Sequence, residues 1–210
     1  MMNLFYDGGP FMLVLLIGAM FAGGLGLVRA LVAPRLSMPA LTPAVGLGCL
    51  ALGLFATHQG VLMVFQAIAS VSADLKSELL AESLNAAVLP GKLSALLAAG
   101  LLLLHGLAGL RERREAPRAL ALTAAALVGV AGLAMVAAVL ASWVTFDTVA
   151  ATFDTTAPAS QEQLTATAAR LARANLAAMV GAGVASGFSA LGGAVGMMAG
   201  FVGLIRADAE

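Results

Sequence analysis

Charge is what this chain has least of. Only 10% of its 210 residues are charged, and 11 Lys and Arg are balanced by 11 Asp and Glu, so the net charge is zero. A water-soluble domain would have too few polar side chains to cover its surface. A neutral chain also offers no basic patch for nucleic acid. Cysteine is scarce too: Cys49 stands alone, so an intrachain disulfide is excluded. No nucleophile lies near a base and an orienting acid, no cluster has metal-ligand spacing, and no glycine-rich loop joins a strand to a helix. Those absences argue against an enzyme and imply neither a cofactor nor a metal.

What is abundant is apolar. Hydrophobic residues make up 61% of the chain, and the mean hydropathy is +1.00. A bilayer core is about 30 Å thick, so a spanning helix needs about 20 mostly apolar residues. Five stretches qualify: Pro10 to Val32, Thr42 to about Ser70, about Val88 to Leu110, Ala119 to about Phe146, and Leu176 to Ile205. All are expected to be helical, because lipid offers no partner for open backbone groups. The expected fold class is therefore all-α, a polytopic membrane bundle of about five transmembrane helices.

Charge position predicts the orientation. Arg29 and Arg35 follow span one, Arg111, Arg113, Arg114 and Arg118 follow span three, and Arg206 follows span five. By the positive-inside rule these ends are cytoplasmic. Asp7, Asp74, Glu78, Glu82, Asp147, Asp154 and Glu162 mark the other side, with Tyr6 and Trp143 at interfacial depth. An N-out, C-in chain satisfies all of them. The first run is not patterned as a signal peptide, since its leader carries Asp7 and no Lys or Arg.

Outside the spans the chain divides into a three-helix core over residues 1–110, a charged elbow over 111–118, and an added two-helix hairpin over 119–210. Leu75, Leu79 and Leu80 suggest that residues 71–87 continue span two as an amphipathic helix. Residues 155–160, TTAPAS, suggest a turn. After it, Arg170 and Arg173 share one face of an interfacial helix that runs into span five, near enough to its end to snorkel.

Span five carries Gly192, Gly196 and Gly200 at intervals of four, with Ser189 and Gly193 on a neighbouring line. Span one has Gly18, Ala22 and Gly26. Such lines let backbones approach closely, either within the chain or between copies. Ionisable groups at membrane depth are functional candidates. Thr57, His58 and Gln59 fall in the outer half of span two, and Lys92 near the outer end of span three after Pro90 and Gly91. These four are the candidates for a proton pathway, His58 being titratable near neutrality in water. His105 is expected at the interface near Arg111. Each candidate also has a plain structural alternative: a histidine bonded to a neighbouring helix, a lysine reaching the headgroups.

Two stretches resemble the MotA/TolQ/ExbB proton-channel family. GGPFMLVLLIGAMFAGGLGLVRAL at 8–31 is similar to that family's first span. LFATHQGVLMVFQAIA at 54–69 resembles its second-span signature, with Thr57, Gly60, Phe65, Ala67, Ile68 and Ala69 at matching positions, and residues 79–100 resemble the entry to its last span. The chain departs from the pattern at Ala56 and His58, at Pro90-Gly91 where the family has a threonine pair, and at Ala33 to Leu41, where the family has a cytoplasmic domain. Spans four and five are extra, and Phe146-Asp-Thr-Val-Ala echoes Phe65-Gln-Ala-Ile-Ala.

The resemblance implies a homo-oligomeric, pore-lining subunit of the bacterial inner membrane. Such a subunit surrounds a single-span partner of the MotB/ExbD/TolR type, with Thr57 supplying a pore hydroxyl. Two other readings stand beside it: a scaffold that conducts nothing, and a small-solute transporter binding an anion between Lys92 and His58.

Overall fold

In the computed structural model the described residues are 2–32, 37–38, 40–68, 83, 86–109, 116–153 and 161–207. The amphipathic segment expected after span two, the charged elbow and the 155–160 turn lie largely or wholly outside the described residues. Five helices lie among the described residues: α1 (Met2–Val32), α2 (Leu41–Ile68), α3 (Leu89–Gly109), α4 (Arg118–Phe153) and α5 (Gln161–Ala207). Each contains a segment long and apolar enough to cross a membrane. The chain is an all-helical, multi-pass membrane protein by this measure.

Proline marks where helices begin. Pro43 and Pro90 lie in the first turns of α2 and α3, and Pro117 directly precedes α4. There the missing N–H is of no consequence and the fixed φ suits the helix. Ala40, at φ 61, makes the tight entry to α2, and its carbonyl accepts from Ala44 N–H. Helix α5 starts at Gln161, so the segment holding Arg170 and Arg173 is continuous with the fifth span.

Helix α2 sits at the centre and packs against all four others. On one side α1 and α3 also pack together, and on the other α4 and α5 pair over most of their length. Among the described residues α1 and α3 pack against neither α4 nor α5. Met38 and Leu41, in contact with Leu25 and Met197, gather α1, α2 and α5 at the end that also holds Arg29.

Size is sorted inside out. Large side chains face outward, among them Met20, Phe21, Leu96, Leu133 and Trp143. Lipid solvates these as well as a protein interior would, so the α4–α5 seam goes to small residues, whereas Met12, Leu15 and Leu101 fill the core around α1 and α3. On α4 the buried line runs Ala124, Val128, Ala131, Ala138, Ser142, Thr145. On α5 it runs Asn175, Ala178, Ala182, Ala185, Ser189, Gly192, Gly196, Ala199. Successive steps of three and four on α5 are the spacing of a coiled-coil seam.

That seam places the predicted glycines. A Cβ on Gly192 would fall 2.7 Å from Val128 Cγ2 and 3.3 Å from the Ala124 carbonyl, so Gly192 is an intrachain contact with α4. Gly196 and Gly200 are buried too. On α1 the predicted line divides: Gly26 is buried against Leu104 and His105, whereas Gly18 is exposed with open space beside it. Ala22 lies between these extremes.

Candidate functional site

Polar side chains at membrane depth form two clusters. The first lies toward the Trp143 end and joins α2, α4 and α5. Asn175 Nδ2 donates to the His58 carbonyl at 2.8 Å, which turns Asn175 Oδ1 toward His58 Nδ1 at 2.5 Å. An amide oxygen can only accept, so Nδ1 carries a proton and donates. His58 Nε2 lies 2.6 Å from Ser142 Oγ, and Ser142 Oγ also reaches the Ala138 carbonyl at 2.7 Å.

Ser142 has a single proton and two acceptors for it. When His58 is neutral, Ser142 can donate to Nε2. When His58 is protonated on both nitrogens, Nε2 donates to Ser142, which then donates to Ala138. The cluster is hydrogen-bonded in both protonation states, and a hydroxyl rotation converts one to the other.

The second cluster lies toward the Arg29 end and joins α1, α2 and α3. Arg29 is 3% exposed and His105 fully buried. Arg29 Nη1 donates to Thr42 Oγ1 at 2.9 Å and to the His105 carbonyl at 3.2 Å, and lies 3.4 Å from His105 Nδ1. Thr42 Oγ1 donates to the same carbonyl. His105 Nε2 faces the Ala22 carbonyl at 2.9 Å, so Nε2 donates and Nδ1 is left to accept from Arg29. His105, expected near the cytoplasmic end of span three, lies beside Arg29 and Thr42 and is buried between helices, where the guanidinium and a backbone carbonyl satisfy both ring nitrogens. Arg29, expected as a terminal charge marker, is buried with it.

The four pathway candidates do not converge. His58 is enclosed by α4 and α5. Thr57, also buried, faces the other way, toward Gly91 of α3, and its Oγ1 has no hydrogen-bond partner. Gln59 is half-buried and Lys92 exposed. The Lys92–His58 pairing needed for an anion site is therefore not formed, since His58 is committed to Ser142 and Asn175.

Below Thr57, α2 and α3 approach closely: a Cβ on Gly53 would overlap Ser94. Ser94 Oγ donates to the Gly91 carbonyl at 2.8 Å, and Cys49 Sγ to the Ser94 carbonyl at 3.5 Å. From Cys49 to Thr42, about 10 Å along the helix, the facing segments of α1, α2 and α3 hold no polar side chain. Among the described residues no three His, Cys, Asp or Glu side chains come together.

Sequence reasoning missed Ser142, Asn175 and the burial of Arg29. Asn175 carried a usable signal, since an amide near the start of a membrane span is unfavourable without a partner. No protein-family model, curated protein or solved structure matches the chain.

Proposed function

We propose that this protein is a scaffold or assembly subunit of a membrane energy-transducing complex of the MotA/TolQ/ExbB kind, in a bacterial inner membrane with its N-terminus outside. It works as a homo-oligomer that holds a single-span partner rather than lining the ion path. The observation that carries this reading is the enclosure of α2. Three of the four pathway candidates sit on that helix, which is packed on by all four others, and its histidine is bonded within the chain. The stretch of α2 that holds Thr57 and His58, both buried, has no face to give to an axis shared between copies.

The test is proton flux in proteoliposomes holding the purified oligomer, read with an internal pH dye, together with crosslinking in native membranes. Expected are a homo-oligomer, a small single-span protein crosslinked to it, and flux no greater than in empty vesicles. Flux through the wild type that disappears in His58→Leu would sink the scaffold reading.

That outcome would favour a second reading, proton transfer within each protomer. The His58–Ser142–Asn175 cluster supports it, since one hydroxyl rotation accommodates the arrival or departure of a proton.

A further inference from the structure

Between α1 and α5, with α2 as its floor, lies a cleft of about 270 Å³. Its walls mix large apolar side chains such as Phe21 and Leu52 with small residues, among them Gly18 on α1, Gly48 on α2, and Ser189 and Ala190 on α5. Met38 and Leu41 close it toward the Arg29 end. No charged side chain lines it.

Ser189 sets this cleft apart from a plain apolar groove. The residue is 1% exposed, and its Oγ has no hydrogen-bond partner. A helical serine commonly returns its proton to the carbonyl four residues back, as Ser142 does. Ser189 does not, and an unbonded hydroxyl in an apolar interior is unfavourable. Rotating its χ1 toward the cleft breaks no existing hydrogen bond.

Depth restricts what can answer that hydroxyl. Ser189 lies midway along the Arg173–Arg206 span and Ala22 near the middle of Phe11–Leu31, while Gly48 is seven residues into Leu41–Val64. The midplane is roughly 15 Å from the headgroup boundary. Phospholipid esters stay at that boundary, and an acyl chain brings no acceptor. The occupant must be neutral and apolar over most of its length, with a compact acceptor able to lie at mid-membrane.

We propose that the cleft binds a lipid-soluble quinone, with a ring carbonyl accepting from Ser189 and the tail leaving between α1 and α5 into lipid. The site does not depend on the assembly role proposed above.

The test uses the full chain in nanodiscs of one synthetic phosphatidylcholine, titrated with a benzoquinone bearing a short alkyl tail. An alkylbenzene of equal length, without carbonyls, is the control. The expected result is saturable quinone binding above the uptake of empty discs. Gly18→Leu and Ala190→Leu should each weaken it more than about tenfold, since both fill the cleft from positions with room for a side chain: Gly18 has no neighbour within 4 Å of a Cβ and Ala190 is exposed. Ser189→Ala should weaken quinone binding about fivefold, the scale of one neutral hydrogen bond, and leave the alkylbenzene unchanged.

Uptake that does not saturate, or wild-type binding in both leucine variants, overturns the proposal. So does equal binding of quinone and alkylbenzene, which would make the cleft an acyl-chain groove. A change in oligomer size in the leucine variants without any quinone binding to the wild type would make it a helix interface and overturn it too. Photo-labelling of the wild type with an azido-quinone covers the case in which a variant fails to fold: label on the segment around Ser186 to Met197 is expected, and its absence counts against the site.

Discussion

The two polar clusters are built from similar parts and constrained differently. Around His58, Ser142 and Asn175 are neutral, and Ser142 can point its proton either way. Around His105 the partner is a guanidinium, which can only donate, so the ring is held with Nδ1 accepting and Nε2 donating. A histidine among hydroxyls and amides can tolerate two protonation states, whereas one beside a buried arginine is fixed in one. The first cluster is adaptable and the second is a clamp, although both staple three helices.

Substitutions can break this comparison. The largest effect is expected for His105→Leu, which removes an acceptor from a buried charge: a loss of about 1.5–3 kcal/mol, measured by reversible unfolding in micelles. Asn175→Leu should lower stability by about 1–1.5 kcal/mol, near the upper range of hydrogen bonds measured within membranes. If it costs as much as His105→Leu, the two clusters are not different in kind.

The triple variant His58→Leu, Ser142→Ala, Asn175→Leu sharpens the contrast, because three groups that bond one another are removed together. It should be destabilised less than Asn175→Leu alone, by under about 1 kcal/mol; a sum of three separate losses would mean the cluster contributes more than satisfaction of its own groups. The smallest effect is expected for Thr57→Val. Its Oγ1 has no partner, so an isostere without the hydroxyl should change stability by less than about 0.5 kcal/mol or raise it. A large loss would show a bond made by Thr57 in the working protein.

The helices were legible because lipid demands long apolar runs, and five runs gave five helices. Pairing of those helices was not. His58 drew notice as an ionisable group in a span, but its partners are 84 and 117 residues away, and nothing local points to them. Arg29 was legible as a positive charge at a span end, but its burial depends on His105, 76 residues further on. The glycines at intervals of four were visible on α5. The seam that buries them proceeds by threes and fours through alanines and a serine, too common in this composition to stand out.

The central position of α2 has a consequence for biosynthesis. His58 enters the membrane with its helix, but Ser142 and Asn175 belong to helices made later. At about 5–20 residues per second, the 117 residues to Asn175 take roughly 6 to 23 s to translate. Throughout that interval the nascent protein presents a histidine to lipid or to the insertion machinery without the side chains that will bond it. Docking of the α4–α5 hairpin is thus the step that removes a polar liability from the growing chain, and a ribosome stalled between α3 and α4 would leave a product the membrane's quality control can recognise by that one exposed imidazole.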